Sequence, residues 1–150
     1  MQALVFRVGM HRLALRAREV VEVLPRMPLR EVAMAPEAVL GLLAFRAHLT
    51  PVVDLGLLIR GERCRPQLGT RIVVVEVGAG TSSRRYVGLL AEDVSELVPL
   101  GRTAAGLEVA EHPWLGAHLA DTPDWPQLIE VHELLPEALT RLFVPEPAAS

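Results

Sequence analysis

The sequence predicts an all-β protein with a minor helical part, arranged as two hairpin-rich halves. Short apolar runs recur between turn residues, and no long amphipathic helix lies between them as a βαβ fold requires. Val, Leu and Ala supply most of a hydrophobic content of 51%, against 4% aromatic residues. A core of many short aliphatic side chains suits strands, where β-branched residues pack well on a pleated surface. No fixed period marks a propeller or solenoid.

The elements follow in order. Over residues 3–8, Leu4, Phe6 and Val8 alternate with Val5 and Arg7, and Gly9-Met10-His11 turns the chain into a second run through Leu13 and Leu15. This pattern predicts a hairpin. Residues 20–24 are Val-rich and stop at Pro25; Pro28 and Pro36 punctuate an irregular stretch that closes with a short helical turn over 37–40. Residues 41–45 and 49–55 form a second hairpin joined near Arg46, Ala47 and His48, with Pro51 placing its strand at an edge or at a strand start.

Residues 60–70 hold Gly61, Pro66 and Gly69 together with Arg60, Glu62, Arg63 and Arg65. They predict a polar linker, so the boundary between two sub-barrels of one domain spanning 1–150 falls near 60–70. Residues 71–77 form the strongest strand, with Ile72 to Val75 apolar enough to be buried on both faces. A turn over 78–84 leads to strands over 86–91 and 94–97, a loop over 101–106 and a late short strand over 128–131. A short helix is expected over 137–143, before a frayed tail at 144–150.

Composition excludes several function classes. A formal net charge of -3 argues against nucleic-acid binding, which needs a basic face able to displace counterions from phosphates. All 15 basic residues are Arg, a bias that a GC-rich coding sequence produces without any function behind it. The single cysteine, Cys64, cannot form an intramolecular disulfide, which fits a reducing compartment. Arg7, Arg12, Arg16 and Arg18 interrupt any signal-peptide apolar core. The most apolar stretch, 38–59, contains Arg46, His48, Pro51 and Asp54, which speaks against direct membrane insertion. The expectation is a soluble cytoplasmic protein.

No residue set rises to a catalytic motif. His112, His118 and Asp121 fit neither a helical metal site nor a zinc-finger spacing and are expected as exposed loop residues. Cys64, between Arg63 and Arg65, is expected as a reactive but non-catalytic thiol, because a flexible linker positions no oxyanion donors. Ser82, Ser83 and Ser95 lack a nucleophile elbow. Gly78-Ala79-Gly80 lacks the third glycine of a dinucleotide site and is expected as a hairpin loop. Trp114 and Trp125 are expected to fill a core and its edge. No enzyme, metal or cofactor is expected.

The order of these segments resembles the CheW-like family of chemotaxis coupling proteins, collinearly from about residue 3 to residue 143. The resemblance is carried by the opening hairpin, Val20-Val21-Glu22-Val23, Gly41-Leu42-Leu43-Ala44-Phe45-Arg46, Pro51-Val52-Val53-Asp54-Leu55, residues 71–76 and Gly88-Leu89-Leu90-Ala91-Glu92-Asp93-Val94. The Pro-Val-Val-Asp-Leu block is its most specific part.

The resemblance implies two intertwined five-stranded SH3-like β-barrels and an adaptor linking the cytoplasmic tip of methyl-accepting chemoreceptors to a CheA-type histidine kinase. It carries over no catalytic residue. The partner-facing positions it implies are Val20, Glu22, Val23, Gly41 and Arg46 in the first barrel, with Gly88, Val94 and Leu97 in the second. Three positions depart from the family pattern: Ala44 stands where the family has asparagine, Ala47 follows Arg46 where the family has glycine, and Asp93 follows Glu92 where glycine is expected. A small-ligand-binding β-barrel with a pocket between the halves is the alternative. A filled aliphatic interior argues against it.

Overall fold

The computed structural model describes residues 1–77, 85–106 and 112–134. Strands β1 (Gln2–Val8) and β2 (His11–Arg16) form the first hairpin, with Ala3 opposite Arg16 and Val8 opposite His11. A single 3-10 turn at Ala17–Glu19 then leads into β3 (Val20–Pro25). Next come β4 (Val39–Phe45) and β5 (His48–Asp54), the expected second hairpin. Residues 37–40 do not form the expected helical turn. The chain turns at 37–38, the Val39 N–H donates to Pro36 O at 2.9 Å, and β4 begins at Val39 opposite Val53. Cross-strand pairing of β-branched residues outweighs a helical turn flanked by proline.

A helix the sequence reading missed follows: α1 (Leu55–Arg60). The Asp54 carboxylate accepts the Gly56 and Leu57 N–H groups at 2.8 and 3.2 Å, while Gly61 (φ 74°) returns its own N–H to Gly56 and Leu57 carbonyls. Asp54 before the helix and Gly61 after it are readable capping signals. Strand β6 (Arg71–Val77) is as expected, with Ile72 to Val75 all buried. The two strands expected over 86–91 and 94–97 are one, β7 (Arg85–Pro99). The remaining elements are β8 (Thr103–Ala104), β9 (Leu115–Leu119), β10 (Gln127–Ile129) and α2 (Val131–Leu134). β8 lies inside the expected loop 101–106, β9 was not foreseen, and the late strand stops at Ile129. The expected turn 78–84, with Gly78, Ala79, Gly80, Ser82 and Ser83, lies outside the described residues, as do the helix 137–143 and the tail.

The strands form two SH3-like barrels that exchange chain. One is built from β3, β6, the first half of β7, β5 and β4, in that order. An antiparallel bridge between Arg30 and Leu42 ties the chain leaving β3 back to β4. The other is built from the second half of β7 with β1, β2, β10 and β9, extended by the two residues of β8. Segment 61–70 therefore does not separate the barrels, because β5 before it and β6 after it belong to the same one. The chain changes barrel along β7 instead. Residues up to Ala91 pair with β6 and residues from Glu92 onward pair with β1, with Asp93 at φ 50° at the bend.

Three apolar clusters explain why so many strands are buried on both faces. Alternate side chains of β1 split between them: Ala3 and Val5 join Ala14, Val98, Leu119 and Leu128 inside one barrel, while Leu4, Phe6 and Val8 point the other way. Strand β6 does the same, sending Ile72 and Val74 into the other barrel with Leu43, Phe45, Val52, Tyr86 and Leu90. Its Val73 and Val75 meet Leu4, Phe6, Val8, Leu13 and Leu15 in a third cluster shared by both barrels. A period-2 strand buried on both sides needs no polar face.

Candidate functional site

β3 hydrogen-bonds only β6 among the described strands, so its second edge is outside any ladder. Its register with β6 slips between Val20, opposite Val75, and Glu22, opposite Val74. This bulge at Val21 breaks the period of two. Val20 and Val23, three apart, thus both rest half-buried on the shared cluster, while Val21 and Leu24 turn into the interior of β3's own barrel. Glu22 is left exposed between them. Bulges on edge strands re-aim side chains in this way.

Gly41 and Arg46 lie on the β4–β5 hairpin. At Gly41 (φ 153°) an added Cβ would stand 2.6 Å from the Arg30 carbonyl oxygen, so glycine is what lets residue 30 approach and exchange hydrogen bonds with Leu42 at 2.8 and 2.9 Å. Arg46 (φ 49°) and Ala47 (φ 64°) are the two central residues of the turn closed by Phe45 opposite His48. Positive φ at both marks a type I′ turn. The Arg46 guanidinium sits 5.0 Å over the Phe45 ring, which meets Tyr86 edge-on at 5.2 Å; His48 also meets Tyr86 edge-on, at 5.1 Å. Arg46 is exposed and forms no ion pair among the described residues. The hairpin tip is therefore a cation held on an aromatic platform. Leu49, 74% exposed and opposite exposed Ala44, adds apolar surface beside it. The sequence reading passed over Leu49 because it sits in an apolar run whose next residues, Thr50 to Leu55, are buried.

The other positions lie elsewhere. Gly88 is interior, next to Val52 in β5 and Val74 in β6, and an added Cβ would stand 2.8 Å from Ile72 and 3.1 Å from Val52. Gly41 and Gly88 thus flank Val52 from either side. Val94, 1% exposed, belongs to the shared cluster, and neither it nor Gly88 presents a surface. Leu97 is 56% exposed but stands on the half of β7 paired with β1, in the other barrel from Arg46. The eight positions form an exposed hairpin tip, an edge strand, an exposed leucine on the other barrel and internal supports, not one pocket.

The candidates for chemistry resolve differently. Cys64 is buried, not exposed in a flexible linker: its N–H donates to both Asp54 carboxylate oxygens at 3.2 Å and its Sγ donates to Leu90 O at 3.4 Å. Burial first, and then the Asp54 carboxylate, push the thiol up to about 12, so the flanking arginines do not make it reactive. The folded chain should leave Cys64 unmodified by a disulfide-exchange reagent at pH 8, while urea-unfolded chain gives one thiol. Rapid labelling of the folded protein would contradict this. Because the folded thiol holds its proton more tightly than the unfolded one, its contribution to stability is complete below about pH 9 and is lost as pH rises towards 12.

His112 meets Trp114 edge-on at 5.6 Å, His118 Nδ1 lies 2.8 Å from Trp125 O, and Asp121 pairs with Arg102 at 2.8 Å. No group of metal-ligating side chains exists among the described residues. Trp114 packs on the shared cluster, whereas Trp125 is 67% exposed, contrary to a core-filling role. A cavity of about 480 Å³ opens beside Leu13, Leu58, Ile59, Trp114 and Leu115, with His11, Gln127 and Glu133 at its polar side.

Residues 2–108 match the family model described as CheW-like domain. The chain belongs to the CheW-like family. The crystal structure of scaffolding protein TtCheW from Thermoanaerobacter tengcongensis shares the fold, with a TM-score of 0.76 over 90% of this chain and 87% of that one at 20% identity. No curated protein sequence matches the chain. Two of the three departures from the family pattern share a backbone conformation. Ala47 and Asp93 both adopt the left-handed backbone that glycine enters without cost, at φ 64° and φ 50°. No helix of the described residues is long and apolar enough to cross a membrane.

Proposed function

We propose that this CheW-like chain is a non-catalytic cytoplasmic adaptor that couples the cytoplasmic tip of a methyl-accepting chemoreceptor to a CheA-type histidine kinase. Family membership supports the adaptor role. The observation that carries a binding function is the hairpin tip, where Arg46 stands exposed and without a carboxylate partner among the described residues, on a rigid aromatic base. A planar guanidinium offers five donors to a carboxylate or to backbone carbonyls, and the platform lowers the entropy lost on docking. Glu22, Val20 and Val23 on the open-edged β3, and Leu97 on β7, supply further contact positions. Gly41, Gly88 and Val94 act from within, by holding the hairpin and the shared core in place.

Arg46→Glu should leave the fold intact and impair assembly. Loss of an exposed cation–π contact costs about 0.5–1 kcal/mol of stability. Loss of one member of a desolvated interfacial charge pair costs about 2–5 kcal/mol of binding, and sign reversal adds repulsion. Melting curves and pull-downs against the receptor and kinase of the same organism decide it, with exposed Glu31→Arg as control. A variant that melts like the parent and recruits both partners equally well removes Arg46 from the interface.

A further inference from the structure

Residues 60–70, expected as a plain linker, are anchored together with Arg71 by buried side chains. The Cys64 N–H is taken by Asp54 and the Arg65 N–H by Glu92 Oε2 at 2.6 Å, both carboxylates being nearly inaccessible to solvent. The other Glu92 oxygen takes the Gly9 N–H at 2.9 Å, tying the segment to the β1–β2 turn. The buried Thr70 hydroxyl donates to Arg65 O, its N–H donates to Gln67 O at 3.0 Å, and Gly69 O accepts from Val94 N–H at 2.8 Å. Yet the product of this anchoring is a leucine, Leu68, standing 97% exposed. Around it the segment carries four arginines, Arg60, Arg63, Arg65 and Arg71, and one glutamate, Glu62, in a chain whose net charge is -3. Glu62 pairs with Arg60, while Arg63, Arg65 and Arg71 are exposed and form no ion pair among the described residues.

We propose that segment 60–71 is a preformed docking loop for an acidic protein surface bearing an apolar socket. Leu68 enters the socket, and Arg63, Arg65 and Arg71 meet carboxylates around it. Fixed backbone removes the ordering cost that a mobile loop would incur, and a concentrated positive charge on an otherwise acidic chain selects an oppositely charged partner. The leucine at the tip favours a protein over a nucleic acid, which offers phosphates but no aliphatic socket. This surface is independent of the Arg46 tip, so the two readings stand or fall separately.

The test is a resonance-resolved titration of the isotope-labelled full chain with three probes. They are a peptide of Glu and Leu at helical spacing, an all-Glu peptide of equal charge, and single-stranded oligothymidylate. The Glu/Leu peptide should shift resonances of 63–71 selectively and bind more weakly as salt rises. Leu68→Ser should lower its affinity about tenfold, and Arg63→Glu with Arg65→Glu should abolish binding. Melting curves of both variants should match the parent, because each altered side chain is exposed. The proposal is overturned if the loop resonances stay unmoved, if Leu68→Ser binds like the parent, or if the all-Glu peptide or the oligonucleotide binds as well as the Glu/Leu peptide.

Discussion

Phe6→Ala should loosen both barrels at once and destabilise the chain by about 3–5 kcal/mol, the usual cost of truncating a buried phenylalanine. Phe6 is 1% exposed on β1, opposite Leu13, and belongs to the cluster that also holds Val73, Val75, Val87 and Leu89 of the other barrel. A cavity there removes dispersion contacts from two sheets at the same time. Against a typical total of about 5–15 kcal/mol, that loss is large enough to bring the chain near its unfolding threshold. Amide exchange should therefore quicken in β2 and β6 together, and unfolding should remain a single transition. Faster exchange confined to β1 and β2, with β6 still protected, would show that the cluster does not couple the barrels. Val5→Ala is the comparison, because Val5 points into one barrel only.

Much of this architecture was legible because period-2 patterns and turn residues act locally. The β1–β2 and β4–β5 hairpins and the strand at 71–77 follow from such signals. Pro51 does not mark an edge strand or a strand start: it lies mid-strand in β5, which pairs with both β4 and β7, and its missing N–H is tolerated because the parallel pairing with β7 begins only at Val52. The misplaced boundary has a different origin. A glycine- and proline-containing charged stretch carries the composition of a linker, but the sequence cannot show that Asp54 and Glu92, ten and 27 residues from their partners Cys64 and Arg65, reach in to hold it. The same nonlocal contacts reversed the expectation for Cys64. Its neighbours in sequence are arginines, whereas its neighbour in space is a carboxylate.

The candidate site was only partly readable for a related reason. Family resemblance supplied positions but not orientation, and orientation depends on a one-residue bulge at Val21 that no propensity scale marks. Val94 and Leu97 lie three apart on the same strand, yet one is in the core and the other is in solvent. The departures from the family pattern are informative here. Alanine at position 47 and aspartate at position 93 stand in the left-handed backbone, which costs an L-residue about 1–2 kcal/mol. At Ala47 the β4–β5 pairing that sets Phe45 opposite His48 holds the turn in that conformation. At position 93, the Arg7–Asp93 ion pair at 3.3 Å adds a contact that glycine could not make.

Asp54→Ala should have the second largest effect on stability, a loss of about 2–4 kcal/mol. The carboxylate caps α1 through Gly56 and Leu57 and satisfies the Cys64 N–H, all from a side chain 1% exposed. Removing an N-cap costs about 1 kcal/mol, and leaving a buried N–H unpaired costs about 1–3 kcal/mol more. For a chain of this length that corresponds to a melting point lowered by roughly 10 °C. Asp54→Asn keeps one carbonyl oxygen for the cap and should lose about half as much. Two local readouts separate this mechanism from general loosening. The Cys64 amide should exchange faster than its neighbours on β6, and the Cys64 thiol should become more acidic, since Asp54 is one of the groups holding its proton in place. If Asp54→Ala melts within a degree of the parent and Cys64 keeps both its amide protection and its resistance to labelling, the carboxylate is not what holds the start of segment 60–71.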